Sequence, residues 1–258
     1  EVSAATYNDE DGWTILNDHL DNTSSRVNSL ANDGTAVGWS ETSIGWWEGT
    51  VWKNGEEISM QDVAPANIMD IGEATAVSSD GSMVVGINSW DDQWNQRGYT
   101  YNTLTGELTI LEMSEECPWW DWFCFGSKPF NPYDISDDGT MVGAFGTASG
   151  AGATIVNDVL GTQKLVDFLK AQGVMNANDL GVASTANKIS SNGKHIVGWT
   201  AVDGYFGSFK LTLDQLYVCR KGKTRQVGYP DGVADQLMHG ATLGMCEADL
   251  PLQYKGNF

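Results

Sequence analysis

Short runs of alternating apolar and polar residues, broken by Gly, Asn or Asp, cover most of the chain. A period of two predicts half-buried β-strands. One such pattern is written four times. Residues 185–200 (TANKISSNGKHIVGWT) give a leading strand, a turn at Asn192-Gly193, and a returning strand that ends on Gly198. Residues 28–40 (NSLANDGTAVGWS), 76–88 (AVSSDGSMVVGIN) and 134–146 (DISDDGTMVGAFG) repeat it. The turn glycines Gly34, Gly81, Gly139 and Gly193 lie 47, 58 and 54 residues apart. A repeat at this period outranks any local motif. Asn-Gly predicts a type I′ turn, with positive φ at both central positions.

Each repeat has a second half. Residues 49–60, 98–111, 153–166 and 204–213 alternate aromatic or β-branched residues with polar ones around a central Gly, Asn or Asp. Two hairpins make four antiparallel strands per unit, the arithmetic of a β-propeller blade. Turn glycine to closing glycine spans four residues in Gly34–Gly38 and Gly139–Gly143, and five in Gly81–Gly86 and Gly193–Gly198. One extra residue flips a strand's faces unless something absorbs it, so a bulge is expected in one pair or the other.

The expected fold is therefore all-β and propeller-like, with short helices in insertions. The stretch 5–16 (ATYNDEDGWTIL) parallels 99–111 (YTYNTLTGELTIL) and reads as half a blade. The stretch 218–228 (VCRKGKTRQVG) parallels 189–198 and is its candidate partner, which gives five blades. The alternative is a separate C-terminal cap on a four-bladed or incomplete ring. The division is residues 1–216 for the repeats and 217–258 for a C-terminal module.

The hairpins AVSSDGSMVVG, DISDDGTMVG and KISSNGKHIVG, with LVDFLKAQGV before the last, resemble bacterial extracellular HAF-type repeats over roughly residues 27–213. Thr-Val-Trp, Tyr-Thr-Tyr and Ser-Phe-Lys stand where that family has His-Ala-Phe. The resemblance implies a secreted or surface protein with a propeller-like fold, and no particular chemistry. Residues 216–246 resemble a cassette at the ends of bacterial surface proteins, with Val218 to Thr224 and His239 to Cys246 as its two halves. Arg220 replaces the cassette's first histidine.

Charge narrows the partners. With 14 basic and 34 acidic residues the net charge is −20. Nucleic acid and anionic membranes are disfavoured, because approach starts with repulsion. No apolar run is long enough to span a membrane as a helix, so membrane insertion is not expected. The acidity suits an extracellular protein whose signal peptide has been removed. Four cysteines fall into local pairs, Cys117 with Cys124 and Cys219 with Cys246, which predicts two disulfides in an oxidising compartment. Four reduced thiols are the alternative.

Insertions at 61–73, 114–132 and 165–180 break the strand pattern. Leu165, Val166, Phe168 and Leu169 predict an amphipathic helix that Gly173 ends, and a second short helix is expected over 233–239. Seven of 11 tryptophans are clustered: Trp46-Trp47, Trp90 with Trp94, and Trp119-Trp120 with Trp122. Exposed tryptophans need cover. Trp46-Trp47 reads first as a plug between blades and second as a stacking platform. Trp119, Trp120 and Trp122 read as a contact surface, and Asp121 among them can accept hydrogen bonds from hydroxyls. The partner is a glycan or a surface protein, or a second copy in an oligomer or filament. The basic hairpin Arg220, Lys221, Lys223 and Arg225 suits the last of these.

No cofactor or metal is expected. Asn8, Asp9, Glu10 and Asp11, and Asp137-Asp138, have turn spacing rather than calcium-loop spacing. The histidines His19, His195 and His239 stand in no catalytic motif. The leading reading is a non-catalytic binding or assembly protein. The alternative is a glycan-cleaving hydrolase with carboxylates such as Asp33, Asp80, Asp134 and Asp138 lent by separate blades.

Overall fold

A computed structural model describes residues 3–10, 12–16, 24–42, 46–92, 96–111, 114–116, 127–145, 152–180, 183–202 and 205–254. The protein is mostly β, in several antiparallel sheets. It divides into two compact units, Glu1–Gly139 with Phe145–Thr147, and Thr140–Ala144 with Ala148–Phe258.

In the first unit Ala5–Asn8 and Gly12–Ile15 form a two-stranded sheet. Ala4 and Leu16 beside it pack with Val27, Ala36 and Trp52. The first repeat runs in order through Ser25–Leu30, Ala36–Glu41, Trp47–Lys53 and Glu56–Ser59. The second runs through Ala74–Val77, Met83–Asp91, Gln96–Asn102 and Glu107–Leu111, with Ile68–Asp70 added beside Met83–Asp91. Val37 and Val51 of the first repeat meet Ala74, Val84 and Tyr99 of the second in one core. The second repeat in turn packs against Ser127–Ile135.

In the second unit the strand Met141–Phe145, all but its last residue, and Gly152–Asn157 lead to Gly161–Lys164 and the helix Leu165–Ala171. The helix buries Leu165 and Phe168, and Gly173 ends it at φ 74°. The fourth repeat is Ala183–Ile189, His195–Val202 and Tyr205–Thr212. Here one expectation fails. Residues 204–213 do not form a hairpin, because Tyr205–Thr212 pairs along its whole length with His195–Val202. The next strand, Gln215–Arg220, belongs to another sheet with Lys223–Gly228 and Thr242–Leu243. A helix at Asp231–Met238 and the Cys219–Cys246 disulfide complete that segment. Cys117 and Cys124 lie outside the described residues.

The recurring turns are not type I′. Among their residues only the glycines Gly34, Gly81, Gly139 and Gly193 have positive φ. Each glycine N–H donates to the carbonyl three residues back, on Ala31, Ser78, Ser136 and Ser190, at 3.1, 3.0, 3.0 and 2.8 Å. This is a type I turn closed by a left-handed glycine. The side chain before the glycine decides it. Asp33, Asp80 and Asn192 accept from the N–H two residues on, at 2.9, 3.0 and 3.1 Å, which suits negative φ. Ser78, Ser136 and Ser190 brace Asp80, Asp138 and Asn192 at 2.6, 2.6 and 2.7 Å. Two turns do have positive φ at both central residues, Asn54-Gly55 and Lys221-Gly222. The likeness of 218–228 to 189–198 therefore does not extend to the turn.

Among the described residues three leading strands carry a bulge, and it sits at the same place in each. The register shifts between Val27 and Ser29, Ala74 and Ala76, and Ala186 and Lys188. Val27, Ala74 and Ala186 face the closing glycines Gly38, Gly86 and Gly198. The one-residue difference is absorbed elsewhere, in the turn. Ala31 N–H meets the Thr35 carbonyl, while Ser78 and Ser190 reach one residue further, to Met83 and His195. The bulged side chain reaches forward. Asn28 donates to the Ala74 carbonyl and Thr75 to the Pro132 carbonyl, each at 2.8 Å. An extra residue that unpairs one strand thus ties each of these repeats to the next.

Candidate functional site

The first repeat builds a layered aromatic site. Its middle strand places Trp39 between Arg26 on one neighbour and Trp47 on the other. The Arg26 guanidinium lies 5.6 Å from the Trp39 ring centroid. The Trp39 and Trp47 centroids are 4.8 Å apart with an interplanar angle of 19°. Arg26 Nη2 donates to Glu73 Oε2 at 3.1 Å, and its Nε to Asn28 Oδ1 at 2.9 Å. Asn28 Nδ2 donates to the same Glu73 oxygen at 3.0 Å. Trp46 is fixed through its backbone: Thr42 N–H donates to the Trp46 carbonyl at 2.7 Å, and Trp46 N–H to Thr42 Oγ1 at 3.2 Å.

From the sequence Trp46-Trp47 reads first as a plug and second as a stacking platform. Both are exposed, and the ring that fills the junction is Trp39, at 8% exposure. Its buried Nε1 has no hydrogen-bond partner among the described residues. Sequence reasoning passed over Trp39, Arg26 and Glu73. Trp39 follows its closing glycine as Trp199 follows Gly198, and that alternation was the available signal. Trp90 is half-buried, and no ring contact joins it to Trp46 or Trp47 among the described residues. Trp94, Trp119, Trp120, Asp121 and Trp122 lie outside the described residues.

The carboxylates at the turns serve the turns. Asp33 accepts from Thr35 and lies 3.4 Å from Lys53 Nζ. Burial alone would raise its pKa, but the Thr35 hydrogen bonds and the Lys53 ammonium hold it below the usual carboxylate range. Hydrogen bonds from Ser78 and Ser82 lower Asp80 likewise. Neighbouring turns are laced together: Asn32 N–H donates to the Ser79 carbonyl at 2.8 Å, and Ser79 N–H to Asp137 at 2.7 Å. Asp134 is buried.

A lowered folded pKa contributes stability above the unfolded pKa, near 4, and loses it as pH falls through the folded value. Asp80→Asn is therefore expected to lower the melting temperature at neutral pH and to converge on the parent as pH falls through the folded pKa. Thermal unfolding across that range checks it. An equal deficit at every pH would contradict the assignment.

Glu10 N–H donates to Asn8 Oδ1 at 2.9 Å, an ordinary Asx turn. Among the described residues no group of three His, Cys, Asp or Glu stands close enough to hold a metal ion. Burial pushes the Tyr99 hydroxyl pKa well up, so Tyr99 remains a donor, to the Gly72 carbonyl at 3.0 Å. An open groove of about 580 Å³ on the second repeat is lined by Pro65, Asn67, Arg97, Glu107 and Ile110, and Trp46, Trp47 and Trp90 are not among its lining residues. No helix among the described residues is long and apolar enough to cross a membrane.

No family model matches the chain, and no curated protein does. Among solved structures it is similar to the crystal structure of TolB from Acinetobacter baumannii, at 15% identity and a TM-score of 0.40. The match covers 83% of this chain and 47% of that one, so the chain spans about half the length of that protein.

Proposed function

We propose that the protein is a non-catalytic binding protein of propeller type, secreted or surface-held, whose tryptophans contact a glycan. The meander sheets would be its blades, with five as the expected count. The observation that carries the reading is the exposure of Trp46 and Trp47 on a braced base. Trp47 is stacked on buried Trp39, which Arg26 covers from the other side. A ring held this way loses little ordering entropy when a flat apolar sugar face settles on it. Glu41, paired with Trp47 across the strands, and Glu73, held by Arg26, favour neutral or amino sugars over acidic ones. The disulfide suits an oxidising compartment. Trp90, and from the sequence Trp94 and the 119–122 cluster, are proposed as further contacts. The carboxylates Asp33 and Asp80 lack the raised pKa that a glycosidase acid needs, which favours binding over hydrolysis.

The test is a glycan array followed by calorimetry. Trp46→Ala with Trp47→Ala is expected to cost about 2 kcal/mol, roughly thirtyfold in Kd, with the melting curve unchanged. Unchanged affinity for every glycan the parent binds would overturn the reading.

A further inference from the structure

The repeats hand one face forward. The residues on either side of the closing glycine point towards the next repeat. Val37, Val85 and Val142 are fully buried there, and Trp39, Ile87 and Ala144 are 8%, 7% and 2% exposed. Val37 packs in one core with the second repeat, and Val142 in one core with Ile196 of the fourth. The fourth repeat has the same face, and among the described residues its side chains are left open. Trp199 is 39% exposed, Val197 is exposed, and Phe206, whose ring lies 5.9 Å from Trp199, is 83% exposed. Its last strand, Tyr205–Thr212, pairs with its neighbour without a bulge and contains no proline. An edge so regular and so apolar is a template for another chain.

The other end of the repeat series is open too. The N-terminal hairpin sits beside the first repeat through Ala4 and Leu16. Tyr7 and Trp13, paired across it at 5.3 Å, and Ile15 are all exposed. Charge matches these two surfaces. The three strands of the fourth repeat contain no acidic residue, and Lys188 and Lys210 flank Val197. The hairpin turn carries Asp9 and Glu10. The asymmetry extends to the whole chain: residues 1–147 hold 25 acidic and four basic residues, and residues 148–258 hold nine and ten.

We propose that copies of this chain associate head to tail, the N-terminal hairpin of one on the forward face of the fourth repeat of the next. The hairpin stands where a following repeat would stand, its Tyr7, Trp13 and Ile15 against Trp199, Phe206 and Val197. Different patches meet, so the contact is heterologous and propagates unless a ring closes. This surface is separate from the Trp46–Trp47 site and does not depend on glycan binding.

Light scattering on size-exclusion fractions tests it over a range of concentrations. The mass is expected to rise with concentration, and more at low salt than at high salt, because exposed charges take part. Trp13→Ser removes one patch, and Trp199→Ser with Phe206→Ser removes the other. Each variant alone is expected to be monomeric with a parental circular dichroism spectrum. Mixed, they are expected to form a one-to-one heterodimer, since one intact interface remains between them. A parent chain that stays monomeric at every concentration overturns the proposal. So does self-association of the Trp13→Ser variant alone, which would mean like patches meeting.

Discussion

Gly198→Ala is expected to lower the stability of the second unit by about 3 kcal/mol or more. A Cβ at this position would lie 2.0 Å from the Thr185 carbonyl oxygen and 2.6 Å from the Phe209 ring. The oxygen belongs to the backbone just before the bulge, so no rotamer change relieves the clash. Either the bulge is lost, which flips the leading strand's faces, or the strands part. Gly38 has the same constraint, with the Arg26 carbonyl oxygen 1.8 Å from its would-be Cβ, and Gly86 meets the Tyr99 ring at 2.1 Å. Gly152→Ala is the control, since that glycine has open space and no positive φ. Urea unfolding followed by tryptophan fluorescence gives the comparison. If Gly198→Ala unfolds with the parent midpoint, the bulge is not what fixes this glycine.

The closing glycines were legible in the sequence as a repeat, but their reason was not. A pattern of Gly four or five residues after Gly gives the period and the hairpin. It does not say that two residues stand opposite the second glycine, because the bulge lies on the other strand and its residue varies, Asn at 28 and 187 but Thr at 75. The turn type was misread for a related reason. Asn-Gly permits positive φ at Asn192, but the Ser190 hydroxyl and the Lys194 N–H claim its side chain and hold the other conformation. At Asn54-Gly55, where no hydrogen bond to the Asn side chain is found among the described residues, the expected turn forms.

At the candidate site the sequence found the exposed rings and missed their foundation. Trp46 and Trp47 stand out as a doublet, whereas Trp39 sits singly in a strand and becomes visible only once strand order puts it between Arg26 and Trp47. The three-stranded fourth repeat was hidden for another reason. Residues 204–213 hold two glycines, Gly204 and Gly207, that look like a turn. Pairing with the long strand His195–Val202 keeps Gly207 extended.

Removing the Cys219–Cys246 bond, by Cys219→Ser with Cys246→Ser, is expected to cost about 3.5 kcal/mol from loop closure alone, given the 27-residue separation of the two cysteines. The consequence should extend beyond the C-terminal segment. Met245 N–H donates to the Ala171 carbonyl at 2.8 Å, and Tyr217 exchanges hydrogen bonds with the Gln172 side chain at 2.6 and 3.2 Å. These contacts hold the end of the helix Leu165–Ala171, and Leu216, Val218, Tyr229 and Val233 share one core with Leu165, Phe168 and Ile196. Loosening the segment exposes that core, so the helix and the fourth repeat should lose hydrogen-exchange protection together. The first repeat's core, Val37 and Val51 with Ala74 and Val84, contains none of these residues and should keep its protection. Exchange measured by mass spectrometry on the parent and the double variant separates the outcomes. Loss confined to residues 215–254 would mean that the segment is an appendage rather than part of the second unit's core.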